Sequence, residues 1–168
     1  MNGPILSIIT VNFNNNLGLL KTLESVSSQS FSSYEHIIID AGSTDGSRET
    51  IIQYEKENPH LSFWSSESDK GIYDGMNKGI DHAKGQYLYF LNSGDCLSQD
   101  ILAKIPFDGT EYLYGDTILF YKRKTKKRVY PDTLDLIYLS DNSLHHQSCF
   151  IHHTLFKDKR SVSYTHLT

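Results

Sequence analysis

The 168-residue chain predicts an α/β fold: a mainly parallel sheet flanked by helices, with a late hairpin and a C-terminal part cut short. Apolar, β-branched runs at residues 5–11, 34–40 and 86–91 have the length and composition of strands buried on both faces. Segments of helical periodicity separate them, and this alternation builds parallel sheets through crossover helices. Each run stops at small, polar or acidic residues: Asn12-Phe13-Asn14, Asp40-Ala41-Gly42-Ser43 and Asn92-Ser93-Gly94-Asp95. In open α/β sheets ligands bind at that carboxyl edge. The strand ends therefore point to one cleft for a phosphorylated, metal-bound ligand.

The elements follow in order. Residues 5–11 form the first strand. Asn14, Asn15 and Asn16 offer N-caps to a helix carrying Leu17, Leu20, Leu23 and Val26 on one face. Residues 34–40 form the second strand. Thr44 or Asp45 caps a helix through Ile51, Ile52 and Tyr54 that stops before Pro59. Residues 61–65 are a short third strand. Ile72, Met76, Ile80 and Ala83 line one side of a third helix ending at Gly85, and residues 86–91 supply the fourth strand. After Asp95 the pattern changes. A short helix is expected at 98–104, then hairpin arms at 112–120 and 128–130 around a basic turn at 122–127. A strand at 148–151 and a helix start at Thr154 complete the reading. Residues 161–168 carry no apolar periodicity and no carboxylate, and read as a truncated or foreign tail.

Composition narrows the function classes. A formal net charge of −4 gives no bulk attraction to nucleic acid. No apolar run approaches the roughly 20 residues of a membrane helix, and Met1-Asn2-Gly3-Pro4 does not resemble a signal peptide. Cys96 and Cys149 form no Cys-x-x-Cys motif and are expected as inert packing residues in a reducing cytoplasm. Peripheral attachment at the inner face of a membrane is compatible with this. The basic run Lys122 to Arg128 reads as a solvated turn, or more sharply as a contact with anionic lipid or an acidic glycan. Nothing in the sequence sets an oligomeric state.

The strand-end blocks, taken together, resemble a known family. Thr10-Val11-Asn12-Phe13-Asn14, Asp40-Ala41-Gly42-Ser43-Thr44-Asp45-Gly46, Asp69-Lys70-Gly71-Ile72-Tyr73-Asp74-Gly75-Met76-Asn77-Lys78-Gly79 and Asn92-Ser93-Gly94-Asp95 look like the signature blocks of family 2 glycosyltransferases. The similarity is to the bacterial polysaccharide-biosynthesis type and runs from about Ile5 to about Phe156. It implies a GT-A fold and inverting, metal-assisted transfer from a nucleoside-diphosphate sugar, foremost a UDP-sugar. The acceptor would be a saccharide or a lipid-linked sugar, and the cofactor Mg²⁺ or Mn²⁺. The implied organisation is one domain over 1–160. Residues 1–95 form its nucleotide-sugar-binding half and 96–160 a partial acceptor half.

The resemblance also assigns residues. Asp95 would hold the metal, with Asn92 and Ser93 beside the diphosphate. Asn92 and Gly94 stand where Asp is common, so Asp95 carries most of the charge. Asp40 would meet the nucleobase, with Ser43 in the turn beside it. Thr10 and Asn12 close the first strand, and Phe13 offers a ring to a planar base. Asp69 can hold a ribose hydroxyl or base, and Lys70 adds positive charge at a helix N-terminus suited to anions. Tyr73, Asp74 and Asn77 share the next helical face. His145 and His146 would lie near acceptor or metal. On extended backbone at most one of them faces the cleft.

Other enzyme classes fit less well. The first turn, Asn12-Phe13-Asn14-Asn15-Asn16, lacks the Gly-x-Gly-x-x-Gly cradle of dinucleotide enzymes. No Gly-rich basic loop of the pyrophosphorylase kind follows the first strand. The family's late catalytic base has one counterpart here, Asp158, set in Lys157-Asp158-Lys159-Arg160 where a surface ion pair is the simpler reading. The alternative is therefore a catalytically incomplete nucleotide-sugar-binding fragment.

Overall fold

A computed structural model describes residues 3–121 and 124–156, with only the backbone at 136 and 137. Asp158 and the 161–168 tail lie outside the described residues. In chain order the elements are β1 (Leu6–Asn12), α1 (Asn16–Ser27), β2 (Tyr34–Asp40), α2 (Ser47–Glu57), β3 (Leu61–Ser66), α3 (Ile72–His82) and β4 (Tyr87–Phe90). There follow β5 (Tyr112–Tyr114), β6 (Thr117–Tyr121), β7 (Lys124–Arg128), α4 (Leu136–Asp141) and β8 (Cys149–His152).

Six strands form one sheet in the order β3-β2-β1-β4-β8-β5. The four early strands are parallel. β8 is antiparallel to both β4 and β5. The mainly parallel α/β expectation holds, and the layers follow from strand alternation. Ile9, Val11, Ile37 and Ile39 pack with Leu88, Phe90 and Met76 of α3 on one face. Ile38 packs with Leu19 and Leu23 of α1 and Ile51 and Tyr54 of α2 on the other. α3 lies close to β1 because it presents glycine there. A Cβ on Gly79 would come within 2.4 Å of Ile9 Cγ2, and one on Gly75 within 2.8 Å of Val11 Cγ1.

Several expectations are corrected. The buried face of α1 is Leu19, Thr22, Leu23 and Val26, while Leu17 is 77% exposed. The Thr22 hydroxyl bonds the Gly18 carbonyl and, at 2.7 Å, the Asp95 carbonyl, which rotates that stripe inward. On α3 the buried residues are Gly75, Met76 and Gly79, and Ile72 is exposed. The α2 cap falls on Gly46 (φ 92°), with Asp45 accepting from the Ser47 amide and hydroxyl one residue earlier. The helix expected at 98–104 is a single 3₁₀ turn, Leu102–Lys104. The strand read over 112–120 is two strands. β5 joins the main sheet, and the hairpin is β6 with β7. Cys96 is exposed and Cys149 buried, so the packing role fits Cys149 alone.

A buried polar chain crosses the α1/α2 face. Fully buried His36 bonds the Thr10 hydroxyl at 2.9 Å and the Tyr54 hydroxyl at 3.0 Å. Burial lowers its pKa from 6.5 to about 3. The unfolded chain therefore binds a proton that the folded one refuses. This stability is fully present above pH 6.5 and is lost as pH falls toward 3. Denaturant unfolding should show a loss of about 1.4 kcal/mol per pH unit across that window. In His36→Leu the overall stability should be lower and the acid slope flatter by about one proton. An unchanged slope would contradict the assignment.

Candidate active site

Sequence order reverses between β1 and β4: β2 and β3 extend the sheet to one side and β4 opens the other. Such a switch point leaves a crevice at the carboxyl ends of the two strands. A cavity of about 580 Å³ lies there. Val11, Asn12 and Phe13 line it from β1, Asn92 and Ser93 from the end of β4, and Asp69, Gly71 and Ile72 from the start of α3. Phe13 is 63% exposed, an apolar ring held at the edge of a polar cleft.

Asp40 is the anchor beneath. Its side chain is fully buried. It accepts from Asn12 Nδ2 (2.7 Å), the Ser43 amide (2.9 Å), the Ser43 hydroxyl (2.5 Å) and the Ser66 hydroxyl (2.6 Å). Burial alone would raise its pKa, but the bonds from Ser43, Ser66 and Asn12 outweigh it and hold the carboxyl below its ordinary value. The Asn12 amide orientation is thereby fixed, since Nδ2 must face the carboxylate. Its Oδ1 is left buried with no partner.

The same pattern recurs around the cavity. Asp69 Oδ1 accepts from the Gly71 amide at 2.8 Å, while Asp69 Oδ2 is buried and unpaired. The Asn92 amide meets His146 Nε2 at 3.0 Å and leaves its other polar atom unpaired, whichever way the amide is assigned. Buried polar atoms normally find partners. Three of the orphaned ones belong to residues that line a single cavity.

The 92–95 loop is pinned from α1. Asn15 Nδ2 donates to the Ser93 carbonyl (2.9 Å), and the Thr22 hydroxyl accepts from the Gly94 amide (3.0 Å). Gly94 has φ 101°, a conformation glycine adopts without strain. Asp95 Oδ2 accepts from Gln147 Nε2 at 2.9 Å, and its Oδ1 has no bond among the described residues. Burial lowers the pKa of His146, opposed by the charge of Asp95. Among the described residues no group of three His, Cys, Asp or Glu converges as a metal cage. The donor set instead fits a cation bound mostly by its ligand: one available carboxylate oxygen and a neutral imidazole nearby, the remaining positions left to phosphate oxygens and water.

Not every residue expected at the site lies on the cavity. Asn12, Asp69, Asn92 and Ser93 line it. Asp40 and Ser43 brace it from below. The Thr10 hydroxyl is spent on His36, one pleat deeper than Asn12, and Thr10 is not among the residues lining the cavity. Lys70 is exposed and not among the lining residues, and its amide caps onto Asp74 at 3.1 Å. Asp74 also pairs with Lys78 at 3.3 Å, which makes it a helix-stabilising group. His146 reaches Asn92, whereas the His145 ring packs against Tyr130. Asn15, Ser66 and Gln147 were not read as site residues in the sequence. Asn15 entered the sequence reading as an N-cap candidate for α1, Gln147 directly follows His146, and no local signal marked Ser66.

Residues 7–156 match the family described as Glycosyl transferase family 2, and the chain belongs to that family. Its fold is GT-A-like. It superposes on TarS 1-349 of Staphylococcus aureus, solved in complex with UDP-GlcNAc, with a TM-score of 0.69 at 18% identity over 91% of this chain and 46% of that one. It is similar to the uncharacterized glycosyltransferase Rv1514c of Mycobacterium tuberculosis, 42% identical over 60% of this chain and 38% of the relative. It is also similar to the teichuronic acid biosynthesis glycosyltransferase TuaG of Bacillus subtilis, 37% identical over 60% of this chain and 40% of the relative. The chain thus spans less than half the length of these relatives.

Asp40→Ala should strand donors from Asn12, Ser43 and Ser66 at once. It is expected to cost about 3 kcal/mol or more, measured by urea unfolding near neutral pH. A cost below about 1 kcal/mol would show that the carboxylate does not organise the edge.

Proposed function

We propose that the full protein is a glycosyltransferase that moves a sugar from a nucleoside-diphosphate sugar, most directly a UDP-sugar, to a saccharide or lipid-linked acceptor. The reading rests on the orphaned polar atoms of Asn12, Asp69 and Asn92 around one switch-point cavity. The nucleobase stacks on Phe13 and meets the Asn12 side of the cleft, with Asp40 holding Asn12 in place rather than touching the base. Asp69 takes a ribose hydroxyl. Asn92 and Ser93 face the diphosphate at the α3 N-terminus, whose free amides suit an anion. Lys70 screens it from outside.

Mg²⁺ or Mn²⁺ would be held by Asp95 with His146 alongside. When bound, it neutralises charge gathering on the departing nucleoside diphosphate. Transfer with inversion is a single displacement. An acceptor oxygen bonds to the anomeric carbon from one face as the diphosphate oxygen leaves from the other, and a carboxylate takes the hydroxyl proton. Among the described residues Asp69 is the one carboxylate lining the cavity. Asp100, Asp108, Asp116 and Asp135 are each committed to loop or cap hydrogen bonds. On this reading the described residues bind donor, and Asp158 is the one carboxylate that follows the His145-His146-Gln147 segment in the sequence. A cytoplasmic location, at or near the inner membrane face, belongs to the same proposal.

Calorimetric titration with UDP should show binding that strengthens when Mn²⁺ is added. Asp95→Ala should remove the metal-dependent gain, and Phe13→Ala should weaken binding about tenfold with or without metal. UDP is expected to outcompete GDP and dTDP. Equal affinity in both variants would place the nucleotide elsewhere.

Acceptor-dependent transfer by these 168 residues should be about 10² or more below that of a chain with a positioned base. Robust transfer that Asp158→Asn abolishes would contradict this.

A further inference from the structure

The β6–β7 ribbon is a separate two-stranded sheet. It leaves the main sheet through Gly115 and Asp116, directly after β5. Because β5 and β4 are both antiparallel to β8, β5 ends at the same edge as β1 and β4. The ribbon therefore springs from the edge that carries the cleft, on its β8 side.

Its register sets Ile118 opposite Lys127 and Phe120 opposite Thr125 on one face, and Leu119 opposite Lys126 and Tyr121 opposite Lys124 on the other. Phe120 is 80% exposed and Tyr121 60%, and Ile118 is exposed as well. Lys127 is tied to Asp116 at 2.7 Å, and Arg128 lies over the Tyr130 ring at 5.5 Å, so these two cations build the base of the ribbon. Lys124 and Lys126 are exposed and make no ion pair among the described residues. The sequence from 117 to 131 holds no Asp or Glu, although the chain as a whole carries a net charge of −4. Among the described residues Phe120 and Tyr121 belong to none of the hydrophobic clusters of the domain.

We propose that the β6–β7 ribbon docks the protein on an anionic lipid bilayer, with Phe120 and Tyr121 entering the headgroup boundary and Lys124 and Lys126 meeting lipid phosphates. Aromatic rings favour that boundary, and basic side chains are drawn to an anionic leaflet. An acidic glycan would satisfy the lysines but give the exposed Phe120 no apolar surroundings, which is why the bilayer is favoured. Docking through this ribbon would hold the cleft edge close to a membrane and leave the cavity-lining residues untouched. The inference stands apart from the transfer reaction, because it can be read with no nucleotide present.

The test is co-sedimentation of the chain with vesicles of phosphatidylcholine alone and vesicles rich in phosphatidylglycerol. Binding is expected to the anionic vesicles alone and to weaken as salt is raised. Lys124→Gln and Lys126→Gln should each weaken it about fivefold. Phe120→Ser should weaken it about tenfold. Each variant should keep the parent's UDP affinity and thermal midpoint, since these side chains are exposed and outside the cleft. Failure to bind anionic vesicles, equal binding to neutral ones, or insensitivity to Phe120→Ser would overturn the proposal. Retention on a soluble acidic polysaccharide that is unaffected by Phe120→Ser would assign the ribbon to a glycan instead.

Discussion

A carboxylate buried at the end of β2 sets the geometry on which the cleft depends. Asp40 cannot stay ionised out of water unless donors surround it, and it draws them from the end of β1, the following turn and β3. The polar side chains at those ends are thereby fixed before any ligand arrives. Asn12 is turned so that its acceptor has no protein partner. The energy that holds the floor together thus leaves unfilled hydrogen-bonding capacity at its rim, a preorganised state that a polar ligand can complete.

The other walls depend on contacts equally specific to this chain. Glycines let α3 settle onto β1, which brings Asp69 to the cavity. A Cβ at Gly75 would also lie 3.2 Å from Asp69 Oδ2, so the helix position and the carboxylate position are set together. On the opposite wall, α1 reaches across to the 92–95 loop through Asn15 and Thr22. The late segment returns beside β4 and supplies Gln147 and His146 to Asp95 and Asn92. A single crevice is therefore assembled from both halves of the chain.

Much of this was legible in the sequence. The β1, β2 and β4 runs are nearly continuous in apolar residues, and their polar ends marked the cleft. Periodicity alone could not choose between two leucine stripes on α1, because the choice was made by a Thr22 hydroxyl bonding a loop 73 residues away. The hairpin arms were misplaced because β7, Lys-Thr-Lys-Lys-Arg, has little strand propensity and is stabilised by cross-strand pairing. Two of the four hydrogen bonds to Asp40 come from residues distant in sequence, Asn12 and Ser66, and are visible only in the fold. The Asp95 partner, Gln147, is likewise 52 residues away and visible only in the fold.

The central claim is that one switch-point cavity with unfilled acceptors is the nucleotide site. Side-chain amide NMR spectra of the chain titrated with UDP and Mg²⁺ test it most directly. The account predicts that the Asn12 and Asn92 amide signals shift and saturate together, with the Gly71 and Phe13 backbone amides following. Shifts confined to the opposite end of the sheet, around Tyr34, Tyr54 and His60, with Asn12 and Asn92 unmoved at saturation, would contradict it.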